Sequence, residues 1–257
     1  MRRASICLIL LACAAGCPVA ALAYPTTQIA PAFSNNKLGA GTFVSFSGVT
    51  TNTTGGLPGP IHEAVIHLPL GLGVHTAGFA TCSAGVLERD GPGACSAASK
   101  AGPLGSAVGK APLGDSIVTE PVTIQPFLGP PDAQGHTQLV LYANGVSPVS
   151  VQYVIVGTLL ADDPPFGQKL VIPIPEIDTV PGAQPASIVS FKLAVGATRV
   201  GRVKVKTHGK VETVRAKIYG ITVPKRCPKG GFPWRGEFHD DGDFTSIVTA
   251  KSPCPKR

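Results

Sequence analysis

His62-Glu63-Ala64-Val65-Ile66-His67 sets two imidazoles and a carboxylate in one short segment. These are the residue types that hold zinc and activate its bound water. A helical zinc motif needs its histidines four apart, so that both rings meet one metal, and here they are five apart. On an extended strand an odd separation sends the two rings to opposite faces. His75, past Gly71 and Gly73, leaves one further arrangement, in which His62, Glu63 and His75 converge as the site of an extracellular hydrolase. A strand-edge pair of histidines is the plainer reading, because a metal site also needs matched ligand geometry.

Other chemistries have weaker footing. Asp240-Asp241-Gly242-Asp243 offers oxygens to calcium, but the alternate acids and closing Glu of a calcium loop are missing, and Asp-Gly is ordinary turn chemistry. No G-x-S-x-G nucleophile turn occurs, nor a phosphate-cradling G-x-x-x-x-G-K-[ST], nor a dinucleotide G-x-G-x-x-G on a strand–helix unit. Nothing brings Glu63, Glu88 or Asp115 to glycosidase separation. Asn52-Thr53-Thr54 matches a glycosylation sequon, relevant only to a eukaryotic secretory route. The sequence therefore assigns no catalytic residue, metal ligand or cofactor, and it points to a non-catalytic binding or structural role.

The basic residues are better organised. Tyr24 to Ser190 carries a net charge of −5, and Phe191 to Arg257 carries +10. Arg202-Val203-Lys204-Val205-Lys206 alternates charge with apolar side chains, Thr207-His208-Gly209 turns, and Val211 to Tyr219 returns. One face of that hairpin carries Arg202, Lys204 and Lys206, and the other Val203 and Val205. Together with Lys210, Arg215 and Lys217 these cations suit a polyanion of the cell envelope, although a solvated strand face accounts for the same charges. No nucleic-acid partner is expected. Trp234, the one tryptophan, suits a core or edge aromatic near Cys227 more than a sugar-stacking platform, given the area a Trp buries.

Strands must position these groups. The chain has 31 Gly and 25 Pro, and they stand between short apolar runs, a pattern of strands and turns rather than long helices. Strands are expected at Thr42–Ser47, Ile61–Leu70, Ile117–Phe127, Thr137–Tyr142, Ser150–Leu160, Lys169–Ile174 and Ser187–Val195, besides the basic hairpin and the pair Trp234–Phe238 and Phe244–Ala250. Pro121 and Pro126 place Ile117–Phe127 at a sheet edge. Ala143-Asn144-Gly145 reads as a turn, Thr50–Pro60 as a loop, and Cys82–Gly102 as a stapled loop with one short helical turn at most. About eleven strands at this spacing make an all-β fold, a β-sandwich of Ig-like or jelly-roll-like kind. One large domain over 24–257 or two sandwiches divided near 162–166, at Asp162-Asp163-Pro164-Pro165, both fit, and the short connections favour one.

Residues 1–23 have the pattern of a signal peptide: Arg2 and Arg3, an apolar run from Ile6 to Ala15, and Ala21-Leu22-Ala23 before a cleavage point between Ala23 and Tyr24. The apolar run is short for a bilayer span. Ala14-Ala15-Gly16-Cys17 offers lipid anchoring at Cys17 as an alternative, with Ala14 where a lipobox has Leu. The mature chain is thus expected to be secreted or extracellular, with no transmembrane span. Cys82, Cys95, Cys227 and Cys254 remain after cleavage, and an even number in an exported chain reads as two disulfides. Four cysteines allow three pairings; Cys82–Cys95 with Cys227–Cys254 is preferred because each closes a short local loop.

Two cysteine-bearing segments also carry a resemblance. The first runs from Cys82-Ser83 through Ala94-Cys95-Ser96-Ala97-Ala98-Ser99-Lys100 to Gly105–Gly109. The second runs from Val223-Pro224 through Cys227-Pro228-Lys229-Gly230-Gly231, Trp234 and Phe238–Asp243 to Ser252-Pro253-Cys254. With the signal peptide, they resemble a group of uncharacterised exported Ig-like proteins of high-GC actinobacteria. Ser96 stands where that group more often has Pro. The resemblance implies export, β structure and the two local disulfides, and no activity.

Overall fold

The computed structural model describes residues 25–53, 55–148, 150–177, 184–207, 210–240 and 244–255. The expected signal peptide, Cys17 and the expected Ala23–Tyr24 cleavage point lie outside these residues, as do Thr54, Pro181 and Gly182, His208 and Gly209, and Asp241, Gly242 and Asp243.

The described residues are almost all β, with fifteen strands and one short α-helix: β1 (Pro25–Phe33), β2 (Val44–Asn52), β3 (Ile61–Pro69), β4 (Gly73–Val74), α1 (Ala84–Asp90), β5 (Gly105–Leu113), β6 (Ser116–Leu128), β7 (Gln138–Gly145), β8 (Val151–Ala161), β9 (Phe166–Pro173), β10 (Ser187–Val195), β11 (Thr198–Thr207), β12 (Lys210–Tyr219), β13 (Ile221–Thr222), β14 (Phe232–Asp240) and β15 (Thr245–Ser252). Eleven of them form one antiparallel sheet in the order β1-β2-β10-β5-β6-β7-β8-β9-β3-β14-β15. β5 to β9 is a meander, and β10 returns to fill the place between β2 and β5. Asp162 to Pro165 forms the tight turn between β8 and β9, and both strands belong to this sheet.

The sheet curls until its first and last strands meet. The Thr27 amide donates to Ser246 Oγ at 3.3 Å, and Ser252 Oγ donates to the Pro31 carbonyl at 2.8 Å. Alternation drives the curl: β14 buries every second residue, Phe232, Trp234, Gly236, Phe238 and Asp240, and β1 does the same with Thr27, Ile29 and Pro31. The inward residues form one core around Val44, Ile66, Leu68, Trp234 and Phe238. Between the facing halves, the apolar side chains leave a cavity of about 180 Å³.

The helical segment covers the outer face of the meander. Leu87 of α1 packs with Cys82 on Phe127 and Val140, beside Tyr142, Val154 and Val156. With an apolar interior on one side and α1 on the other, β7 and β8 read as nearly continuous apolar runs instead of alternating ones. Cys82–Cys95 and Cys227–Cys254 are both formed, the first clamping the helical segment and the second tying the stretch before β14 to the end of β15. The second pair closes a separation of 27 residues, so replacing Cys227 and Cys254 together by Ser should lower unfolding free energy by about 3.5 kcal/mol in denaturant titration.

Four sequence expectations are corrected. Ser116–Leu128 is an inner strand, not an edge. β5 pairs with Ser116 to Ile124 and β7 with Val122 to Leu128, so Pro121 and Pro126 each fall where only one of these two strands is paired. Ala143-Asn144-Gly145 belongs to β7, and the turn follows it; Gly145 is needed because a side chain there would meet Glu120 and Val151. The Cys82–Gly102 segment holds a seven-residue helix and two 3-10 turns, more helix than its small residues suggested. The fourth concerns the histidines of β3.

Candidate functional site

Ile61 and Ala64 both line the interior, although three positions apart on a strand should face opposite ways. A register shift explains it: Glu63 pairs with His239 and Ile61 with Asp240, leaving His62 as an extra, bulged residue. His62 and Glu63 therefore both look outward, on the same side as His67. The odd separation of His62 and His67, expected to put them on opposite faces, does not do so. His75 is not brought to them by the strand: it follows β4, where its amide donates to the Gly220 carbonyl at 2.7 Å.

The outer face of β3 and β14 instead carries a polar row that no sequence motif announced. His67, buried, presents Nδ1 to Asp162 Oδ2 at 2.6 Å and Nε2 to Glu237 Oε1 at 3.0 Å, with the Phe166 ring 5.1 Å from its own. Arg235 pairs with Glu237, and His239 Nε2 lies 3.7 Å from Glu63 Oε1. The Thr245 hydroxyl lies 2.9 Å from His239 Nδ1, and the His62 and His239 rings are 6.2 Å apart. Arg235-Gly236-Glu237-Phe238-His239 did show three polar side chains at alternate positions. Their partners on β3 and after β8 depend on sheet order, which no local pattern states.

This row is a network of ion pairs and hydrogen bonds, and none of its members lines the apolar spaces of about 180 and 90 Å³ inside the fold. Among the described residues no group of three or more His, Cys, Asp or Glu is placed to hold a metal ion. Asp240 is buried, and its carboxylate accepts from the Phe244 amide at 3.1 Å, as a turn residue does. Asp132 organises another turn. Desolvation pushes its carboxyl pKa up, but hydrogen bonds from the His136 amide and ring, the Gln134 amide and the nearby His136 charge outweigh that and hold it below the usual value. Trp234 is a core residue at 1% exposure.

The basic hairpin has a different setting. β11 and β12 pair only with each other and stand off the main sheet. At its base Tyr219 meets Phe43 edge to face, with centroids 6.2 Å apart, and Arg199 lies 5.3 Å over the Phe79 ring. The register sets Arg202 opposite Arg215, Lys204 opposite Thr213 and Val200 opposite Lys217. Residues directly opposite share a face. Arg202, Lys204, Lys206, Arg215 and Lys217 thus lie on one face of a ribbon about 30 Å long at ordinary strand rise. Glu212, the ribbon's one acid, pairs with Val205 on the other face. Lys210 pairs with Thr207 at the end of the ribbon. Val205 and Val214 on it are 40% and 39% exposed, so neither face is covered.

Among the described residues none of the five cations makes an ion pair. Like charges directly opposite on a ribbon repel, and two-stranded ribbons are marginal by themselves. Arg202 against Arg215 is therefore an arrangement that an external anion relieves.

Compared with protein-family models, curated proteins and solved structures, the chain matches none.

Proposed function

We propose that the chain is exported and works outside the cell as a non-catalytic binding module, held to an anionic polymer of the cell envelope by the cationic face of β11–β12. The observation that carries this reading is five cations on one face of a two-stranded ribbon outside the main sheet, none of them in an ion pair among the described residues. Export is supported by the pattern of residues 1–23, by two disulfides of the kind that persist in oxidising compartments, and by the resemblance to exported Ig-like proteins. No helix among the described residues is long and apolar enough to cross a membrane.

The test is retention of the processed chain on immobilised heparin. Surface charges separated by more than about 8–10 Å are screened near physiological salt, so the protein should bind at low salt and elute on moderate salt. Replacing Arg202, Lys204, Lys206, Arg215 and Lys217 by Gln should abolish retention and leave the melting temperature unchanged. Elution of that variant at the wild-type salt concentration refutes the reading.

A further inference from the structure

The interior cavity is the least expected feature of the domain. Protein interiors pack like organic crystals, with few voids larger than a water molecule. Here a space of about 180 Å³ lies inside a folded sheet, and its wall is apolar throughout: Phe46, Ala64, Ala107, Ile124, Leu141 and Ile155 are representative. A dry apolar cavity of about 150 Å³ is already large enough to take a benzene-sized guest. Water has no partner in such a wall, and neither has a polar ligand group.

The two ends of the space differ. At one end the buried side chains are polar and tied together. Thr27 and Thr50 hydroxyls are 3.1 Å apart, Ser187 donates to the Pro58 carbonyl, and Glu120 accepts from the Ser147 amide at 3.2 Å. At the other end β4 and β13 pair with each other, and Val74 and Ile221 line both the main space and a smaller one of about 90 Å³. The smaller space is mostly apolar as well, and Thr76, Thr137 and Gln138 join its lining, the Thr76 and Thr137 hydroxyls lying 3.3 Å apart. Ala197 and Gly220, which flank the base of the basic hairpin, also line it.

We infer that the domain binds the hydrocarbon chain of a single-chain amphiphile inside its sheet, with the tail among Phe46, Ala107 and Ile124 and the polar head at the Thr76–Thr137 end. The tail fits because the wall offers contact and no hydrogen bonds. The head stays outside because burying it there would leave it unpaired.

Trp234 makes the site readable in the intact protein. It is the chain's one tryptophan, 1% exposed, and its ring lies 5.1 Å from that of Phe46. The processed chain is titrated with 8-bromooctanoic acid below its micelle concentration, with unbrominated octanoic acid as competitor. The expected result is saturable quenching of Trp234 at one ligand per chain, reversed by the competitor. Ala107→Phe and Ile124→Phe place ring volume in the space, and each should weaken binding at least tenfold without lowering the melting temperature. Absence of saturable quenching in the wild-type chain overturns the inference, whether or not the variants fold. Quenching that survives unchanged in both folded variants overturns it as well.

Discussion

Trp234→Ala should lower the stability of the domain by about 4 kcal/mol, the range for deleting a fully buried Trp side chain. The residue sits at the seam where the sheet closes. Its ring packs on Phe33 and Phe46, at centroid distances of 5.7 and 5.1 Å, and its indole N–H donates to Ser252 Oγ at 2.9 Å. That hydroxyl in turn donates to the Pro31 carbonyl, so one side chain couples β14, β15 and β1. Trp234→Phe separates the two contributions: it keeps most of the packing and should cost less, with the lost hydrogen bond contributing about 1 kcal/mol. Urea unfolding of both variants measures this. A loss below about 1 kcal/mol in the Ala variant would show that the seam does not depend on Trp234.

His67→Leu should be comparably damaging for an electrostatic reason. His67 stands between Asp162 and Glu237, with side-chain exposures of 9%, 11% and 19%. Removing it leaves two carboxylates facing each other in poorly solvated surroundings. Arg235 remains on Glu237, His239 stands 4.0 Å from that same carboxylate, and Lys169 sits opposite position 67 on β9. Removing one partner from a buried ionic group costs about 3–5 kcal/mol. Urea denaturation of wild type and variant measures it, and a loss below about 1 kcal/mol would show that the two carboxylates do not depend on His67.

Both effects arise where strands distant in sequence meet, and that is where the sequence is hardest to read. The basic hairpin is at the opposite extreme. Arg202 to Lys206 alternates cleanly, and its partner strand follows after one tight turn, so the shared face of the cations is readable from periodicity. Ser187–Val195 is likewise recovered with its bounds, since it is a short apolar run bounded by Pro and Gly. The prolines of β6 mislead because the rule that keeps Pro at an edge acts residue by residue. Pro121 and Pro126 each meet it locally, within a strand paired on both sides over its length. Gly145 misleads because glycine serves close approach as well as turns. The parity of β3 fails at one bulged residue, His62, whose cause lies in the register with β14.

From the amino-acid order alone come the all-β class, the pairing of the four cysteines into two short loops, the amphipathic hairpin and the burial of Trp234. Each depends on residues close together in the chain or on the water-avoidance of single side chains. The tertiary structure alone decides that eleven strands share one sheet, that β1 and β15 meet, that His67 stands between Asp162 and Glu237, and that the closed sheet encloses unfilled space. These depend on strand order and curvature, which fix distances between residues separated by up to 221 positions, as Pro31 and Ser252 are. A local period carries the face of each side chain, and only the closed sheet determines which other side chain it meets there.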